Sequence, residues 1–158
     1  MPEGIRLLLG GDSAGYHYKD AILADAKNDP RVASVEDLGV NESDPKAGTY
    51  PSVAIAAATK IMAGEADRAI LVCGTGIGVS IAANKVKGIR AILACNNELA
   101  RLGREHNNAN VIALGGRMQS LEEGLAMVMT FLETPFSEDP RHVRRLDMVT
   151  AYEDAHRA

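Results

Sequence analysis

The chain alternates short apolar runs with longer segments in which apolar residues recur at helical spacing. Five apolar runs have the length of buried strands and are bounded by turn-forming residues such as Gly, Pro, Asn and Asp. These runs cover residues 5–9, 32–40, 68–73, 89–95 and 110–114. The second run alternates only in part, so it is the weakest of the predicted strands.

A helical segment follows each predicted strand, and capping signals mark several helix starts. Pro51 suits a first helical position, Asn96 or Asn97 can cap a helix, Ser120 opens a capping box, and Asp139 precedes a proline. The predicted helices cover residues 16–28, 51–64, 79–85, 96–106, 121–132 and 140–156. This order predicts an α/β fold: a Rossmann-like three-layer sandwich, with a five-stranded parallel sheet, helices on both faces and a C-terminal helix.

Composition narrows the class of protein. A length of 158 residues, 46% of them hydrophobic and 24% charged, predicts a single globular domain over residues 1–158. The net charge of −4 argues against binding to nucleic acid or to anionic membranes. We find no signal peptide and no apolar run near the ~18 residues that a membrane helix needs, so we expect a cytoplasmic protein. Cys73 and Cys95 are then expected to be free thiols, with Cys95 in the core.

The glycine-rich segment after the third predicted strand carries the strongest chemical signal. Cys73 ends the strand, and Gly74, Thr75, Gly76, Ile77 and Gly78 turn the chain into a helix. Backbone N–H groups at such a turn favour an anion or a developing oxyanion, and they bias a thiol toward thiolate. On residue type alone, Cys73 could equally fill the core and Thr75 could cap the helix. The loop matches neither a dinucleotide fingerprint, because Val79 replaces the required Gly, nor a phosphate-binding Walker loop.

Cationic residues near the ends of later elements form a second signal. His106 falls at the end of a predicted helix, where it is either a general acid or base or a C-terminal cap. Arg141 and Arg145 are four residues apart and share one helix face, which suits a phosphate or a solvated basic surface. Arg117 follows the fifth strand and is a possible third phosphate ligand.

Two polar positions near predicted strand ends have both structural and functional interpretations. Asp12 is either an N-cap of the first helix or a ligand for a sugar hydroxyl. Tyr50 either covers a sugar or packs against the start of a helix. His17 and His156 are expected at the surface, and no spacing of His, Cys, Asp and Glu resembles a metal site.

Taken together, these residues resemble the type B ribose-5-phosphate isomerases, whose family also includes the galactose-6-phosphate isomerase subunits. The resemblance covers nearly the whole chain. The matching residues are 73–85 (CGTGIGVSIAANK), 88–91 (GIRA), 104–107 (REHN), 110–111 (NV), 115–117 (GGR), Arg141, His142 and Arg145.

The resemblance implies aldose–ketose isomerisation of a phosphorylated sugar through an enediolate, without metal or cofactor. It implies that Cys73 is the base, because Val79 stands at a loop position where some members carry a carboxylate. The N–H groups of residues 74–78 would hold the enediolate oxygens, and Thr75 would contact the ring or carbonyl oxygen. His106 would assist ring opening.

The resemblance also implies a substrate pocket and a partner. The remaining residues implied to bind substrate are Asp12, Ser13, Tyr50, Asn107, Arg117, Arg141, His142 and Arg145, with the arginines on the phosphate. The family forms homodimers with shared sites, so His106, Asn107 and Arg117 are expected to serve the partner's Cys73. Whether two dimers pair into a tetramer stays open.

One position departs from the family pattern: the family usually has Asp-His after the first strand, and this chain has Asp12-Ser13. We therefore expect interconversion of ribose 5-phosphate and ribulose 5-phosphate, with two alternatives. The first is a family isomerase for a four-carbon substrate of the erythrose/erythrulose 4-phosphate type or a six-carbon substrate of the galactose/allose 6-phosphate type. The second is a non-catalytic phosphosugar-binding subunit.

Overall fold

The computed structural model describes residues 3–44 and 48–157. Within these ranges the chain forms five strands and six helices in alternating order. The strands are β1 (Ile5–Gly11), β2 (Val32–Asp37), β3 (Arg68–Cys73), β4 (Ala91–Leu93) and β5 (Val111–Gly115). The helices are α1 (Tyr16–Ala26), α2 (Tyr50–Met62), α3 (Ile77–Ala83), α4 (Asn97–Asn107), α5 (Leu121–Glu133) and α6 (Pro140–His156).

The five strands form one sheet in the order β2-β1-β3-β5-β4, and every pair is parallel. The predicted α/β sandwich is therefore confirmed. The chain leaves β1 toward β2 on one side, and β3 lies on the other side of β1. A crevice forms at such a change of direction, beyond the carboxyl ends of the strands. Gly11 of β1 is in register with Val72 of β3, so the residues that follow both strands meet at this crevice.

Alternate residues of the central strands bury two separate apolar layers, one on each face of the sheet. One face packs residues such as Leu7, Ile70 and Ile112 against α1, α4 and α5. The other face packs residues such as Leu8 and Leu71 against α2 and α3, and the Cys73 side chain belongs to this second layer. Helix α6 lies outside these layers and contacts α4.

The capping signals predict several helix boundaries correctly. The Asn96 side chain accepts a hydrogen bond from Leu99 N at the start of α4, and Asp139 accepts one from Arg141 N at the start of α6. Ser120 and Glu123 form the predicted capping box of α5. The alternative role of Asp12 as the N-cap of α1 is wrong: Gly15 occupies that position.

Several predicted boundaries differ from the observed ones by one to three residues, and the ends of β2 and β4 are the two that matter most for the interpretation. Strand β2 ends at Asp37 rather than at residue 40. The chain stays hydrogen-bonded to β1 there, but Gly39 has φ +85° and its N–H donates to Asp37 Oδ1, so a turn interrupts the extended strand. Strand β4 ends at Leu93, so Cys95 lies in the turn before α4 and is exposed, not buried in the core.

The fully buried Lys19 of α1 forms an ion pair with Asp37 at the end of β2. Its Nζ lies 2.8 Å from Asp37 Oδ1 and 2.6 Å from Asp20 Oδ1. Burial of a charge without such partners costs several kcal/mol. Across residues 3–44 and 48–157, no helix combines the length and apolar character needed to cross a membrane.

Candidate active site

Cys73 is the last residue of β3, at the carboxyl edge of the sheet and beside the crevice between β1 and β3. Its side chain is 5% exposed, and its Sγ atom lies 3.1 Å from Gly76 N, which donates to it. The sulfur therefore accepts a hydrogen bond from a backbone N–H group at the point where the glycine-rich loop begins. Cys73 thus packs in the core layer, as one interpretation predicted, while its sulfur also borders the loop at the sheet edge.

The loop after Cys73 depends on glycine at two positions. Gly76 has φ +82°, a left-handed conformation, and a Cβ there would lie 2.7 Å from Leu93 Cδ1. A Cβ on Gly78 would lie 2.9 Å from the ring of Tyr50, so the phenol packs directly on the backbone of the loop. Thr75 is exposed, and its Oγ1 accepts a hydrogen bond from Ile77 N at 3.2 Å, which leaves its hydroxyl proton available.

Asp12, Ser13, Tyr50 and Arg117 surround this loop at the carboxyl edge. Asp12 N donates to Val72 O at 3.2 Å, which ties Asp12 to the strand that ends in Cys73. Asp12 Oδ1 accepts from Ala14 N, whereas Ser13 is exposed. A Cβ on Gly74 would lie 3.4 Å from Arg117 Nη1, so the Arg117 guanidinium covers the first residue of the loop. We call these four residues, Cys73 and residues 74–78 the carboxyl-edge group.

The position of Arg117 corrects one expectation. Arg117 was expected, with His106 and Asn107, to serve the partner's Cys73. It instead lies against the loop of its own chain, because Arg117 N donates to Gly74 O at 3.0 Å and holds the turn after β5 beside the turn after β3. The structure thus separates Arg117 from the two residues with which the sequence analysis grouped it.

The other predicted residues form a second cluster where the end of α4 meets the start of α6. The rings of His106 and His142 have centroids 4.2 Å apart, and His142 is 6% exposed. Arg141 and Arg145 are exposed on the same first turns of α6, and Asn107 is the last residue of α4. We call these five residues the amino-edge group, because they lie at the edge of the sheet where the strands begin.

Burial lowers the pKa of His142 below its ordinary value, and the positive charges of His106, Arg141 and Arg145 lower it further. The carboxylate of Asp139 opposes this shift. His142 is thus favoured as a neutral ring within a cationic cluster. A cluster with exposed guanidinium groups on its outer side suits an anion with several oxygen atoms, such as a phosphate.

The two groups lie at opposite edges of the sheet. Helix α4 starts after the carboxyl end of β4 and is 11 residues long, which corresponds to about 16 Å. Its last turn lies beside residues that precede the strands, because Arg90 Nε donates to Asn107 O at 2.9 Å and Arg90 immediately precedes β4. One chain therefore presents Cys73 at one edge and His106 at the other, and it cannot bring them together around one small substrate.

Sequence reasoning missed two residues that fix the amino-edge group. Arg90 donates to the carbonyls of both Asn107 and Asn108 and so holds the end of α4. The hydroxyl of Ser137 lies 2.8 Å from His142 Nδ1. Arg90 stood within a matched motif, but its side-chain role depends on a contact across 17 residues. Ser137 lies in an irregular linker that has no recognisable pattern.

In the part of the chain that the structure describes, no group of three or more His, Cys, Asp and Glu residues could hold a metal ion. The arrangement places a buried sulfur next to a backbone N–H donor at one edge, and cations next to the His142 imidazole at the other. Such a set can transfer a proton and bind an anionic substituent.

Comparison of the chain with known proteins identifies its family. The model of the Ribose/Galactose Isomerase family matches residues 7–149. The chain belongs to that family. This ribose/galactose isomerase is 46% identical over 151 residues to D-erythrulose-4-phosphate isomerase 2 of Mycolicibacterium smegmatis, covering 96% of this chain and 99% of the relative. It is 43% identical over 156 residues to ribose-5-phosphate isomerase B of Mycobacterium tuberculosis, covering 99% and 94%.

Solved structures agree with this assignment. Ribose-5-phosphate isomerase B of Clostridium thermocellum superposes with a TM-score of 0.88 at 39% identity, covering 95% of this chain and 98% of that chain. The Mycoplasma genitalium enzyme, solved with bound ribulose-5-phosphate, superposes with a TM-score of 0.85 at 36% identity, covering 94% and 95%. The chain is thus a sugar-phosphate isomerase of the aldose–ketose type, with the Rossmann-like fold of these relatives.

Proposed function

We propose that this isomerase interconverts ribose 5-phosphate and ribulose 5-phosphate through an enediolate, with Cys73 as the base. The observation that carries this proposal is the Cys73 sulfur at the sheet edge, 3.1 Å from the backbone N of Gly76, at the start of a glycine-rich loop. A base next to preorganised donors is what a proton transfer beside a carbonyl requires.

The proposed reaction begins with the open-chain aldose. The Cys73 thiolate removes the proton from carbon 2, and the electron pair forms the carbon–carbon double bond while the carbon-1 oxygen becomes anionic. The N–H groups of the loop at residues 74–78 stabilise that charge. The thiol then returns its proton to carbon 1, and the carbon-2 hydroxyl gives its proton to the carbon-1 oxygen. No proton or electron is gained or lost overall, so the chemistry needs no co-reactant.

A second copy of the chain supplies the other half of this proposed site. The amino-edge group of that copy would lie over the carboxyl-edge group of the first. There, His106 would assist ring opening, with Asn107 beside it. Arg141 and Arg145 would hold the phosphate together with His142, and Arg117 would approach it from the same chain as Cys73. The separation of the two groups by the length of α4 supports this arrangement.

The exposed faces of the chain also support a homodimer. On α6, Arg141, Arg145, Met148 and Tyr152 follow one stripe at helical spacing, and Met148 and Tyr152 are 68% and 62% exposed. Beside the Cys73 loop, Ile77 and Ile81 of α3 are also exposed. Apolar side chains next to a polar site are typical of a surface that a partner covers. The proposed dimer covers the α6 stripe and the exposed isoleucines of α3, and it brings the arginines of α6 to the partner subunit's loop.

Substitution of the two cysteines tests the assignment of the base. Cys73→Ala removes the proton acceptor, so we expect kcat to fall by at least about a thousandfold, while the protein keeps its fold and binds inorganic phosphate. Cys95→Ala is the matched control, because Cys95 is also a free thiol but is exposed in the turn before α4. Near-normal kcat in Cys73→Ala, or equal losses in both variants, contradicts the proposal.

A four-carbon substrate is the second candidate, and two observations favour it. Ser13 is exposed at the carboxyl edge where the family usually has histidine, and the Mycolicibacterium smegmatis relative is named for erythrulose 4-phosphate. A coupled assay over four-, five- and six-carbon aldose phosphates separates the candidates by kcat/KM. The highest value on the five-carbon sugar supports the first proposal, and the highest value on the four-carbon sugar supports the second. No turnover of any of them would indicate a non-catalytic binding subunit.

A further inference from the structure

Ser137 joins the two helices that carry the amino-edge group. It lies in the linker between α5 and α6, and its backbone N donates to Glu105 O in the last turn of α4 at 3.0 Å. Its side-chain Oγ lies 2.8 Å from Nδ1 of His142 in the first turn of α6. One residue therefore fixes the position of α4, next to His106, and the orientation of the His142 ring.

The hydrogen bonds around Ser137 allow its hydroxyl proton to point at His142. Asp139 N donates to Ser137 Oγ at 3.2 Å, so one lone pair of that oxygen is already engaged. The Ser137 hydroxyl proton can then complete a bond to His142 Nδ1, which accepts it when that nitrogen carries no proton. A neutral imidazole with an accepting Nδ1 carries its proton on Nε2.

The groups that face His142 favour the neutral ring. From α4, the ring of His106 packs against it at an angle of 33°, and from α6 the charged groups nearest to it are Arg141, Arg145 and Asp139. Three of these four are cations or can become cations, and a second proton on His142 would add a like charge to the cluster. The Nε2–H group is then a neutral donor among cations, directed away from Ser137.

We propose that Ser137 is a positioning residue that holds neutral His142 in the Nε2-protonated tautomer, so that Nε2–H donates to the phosphate of the substrate. This inference rests on the proposed function for the identity of that phosphate ester. The inference goes beyond the proposed function because it assigns a role to a linker residue that does not itself touch the substrate. Without the Ser137 hydroxyl, either nitrogen of His142 can carry the proton, and the donor toward the phosphate is present only part of the time.

The experiment compares Ser137→Ala with Ser137→Thr, which keeps a hydroxyl, and with Ser34→Ala, an exposed serine on β2, as a control. The chain has four histidines, so nitrogen NMR of the labelled protein can resolve their tautomers, with His142 assigned from the signal lost in His142→Gln. We expect the Nε2–H tautomer in the parent protein, in Ser137→Thr and in Ser34→Ala, and a mixture of tautomers in Ser137→Ala.

Kinetics supply the second readout. In Ser137→Ala we expect KM for the sugar phosphate and the inhibition constant of inorganic phosphate to rise together, by up to about fivefold, the full effect of one hydrogen bond. The size of the rise should follow the fraction of His142 that loses its proton from Nε2, with kcat unchanged within twofold. Ser137→Thr should restore both constants. An Nδ1–H tautomer of His142 in the parent protein overturns the proposal, and this result does not depend on whether a variant folds. An unchanged tautomer and an unchanged KM in Ser137→Ala also overturn it. Absence of turnover with the expected tautomer shift and weaker phosphate binding would instead count against the proposed isomerase reaction alone.

Discussion

Complementation between two inactive variants is the sharpest test of the divided site. In the proposed dimer, each site combines Cys73 of one copy with His106 of the other. Cys73→Ala removes the base from both sites of a pure dimer, and His106→Asn removes the histidine from both sites. Each pure variant therefore carries two defective sites. We expect losses of at least about a hundredfold for His106→Asn and more for Cys73→Ala.

A mixed dimer of the two variants regains one intact site. The chain with Cys73→Ala contributes its native His106 to the native Cys73 of the other chain, and the second site carries both substitutions. Random pairing of equal amounts makes about half of the dimers mixed, and each mixed dimer has one working site of two, so about a quarter of the parent activity should return. The prediction rests on the placement of Cys73 at the carboxyl edge of the sheet and of His106 at the far end of α4, a helix about 16 Å long.

The assay refolds the two variants together at equal concentration and follows sugar-phosphate isomerisation by a coupled reaction. Each variant refolded alone, and the two mixed after folding without exchange of subunits, are the controls. Recovery near a quarter of the parent activity in the co-refolded sample supports a shared site. Activity no greater than the sum of the separate variants would refute the reasoning and require Cys73 and His106 to act within one chain.

Three further predictions test single residues. Arg141→Ala should raise KM for the phosphorylated sugar by about ten- to hundredfold, the effect of a charged hydrogen bond to phosphate, and equal turnover of unphosphorylated ribose by the parent protein would contradict that role. Ser13→His should raise kcat/KM for five-carbon relative to four-carbon aldose phosphates by about fivefold, and a shift toward the four-carbon sugar would argue against it. The pKa of His142 is lowered in the folded chain, so the folded state binds fewer protons than the unfolded one and stability is lost as pH falls below about 6.5. Urea unfolding of His142→Gln between pH 7 and 5 should show a weaker loss, and an unchanged slope would exclude this contribution.

Most of the fold was predictable because its signals are local. The capping box at Ser120 and the cap at Asp139 each depend on residues within three positions of one another, and both form as predicted. The errors arise where pairing partners decide the outcome. Apolar character continues past Asp37, but Gly39 turns the chain with φ +85°, and Cys95 lies beyond the short edge strand β4. Sequence periodicity does not show which strand lies at the edge of a sheet.

The candidate site was predictable to a different extent at its two edges. Cys73 and the loop that follows are consecutive in the chain, so one segment specifies both the sulfur and its N–H donor. The amino-edge group is assembled from α4, the linker before α6, and α6 itself. Its internal order depends on Ser137 and Arg90, whose bonds cross between elements. The wrong grouping of Arg117 has the same origin, because its place beside Gly74 follows from the pairing of β3 with β5.

The division of the site between edges has a chemical consequence. An enediolate must be shielded from water, because water competes with the thiol for proton transfer and weakens the electrostatic effect of the N–H donors. In the single chain, the carboxyl-edge group is open: Thr75 and Ile77 are exposed, and Tyr50 is 43% exposed although its ring packs on Gly78. A second copy that brings its cationic helix end would close this side and bind the phosphate in one step. In the proposed dimer, folding of one chain would build the base and its loop of N–H donors, and association would supply the remaining ligands and the exclusion of water that the reaction requires.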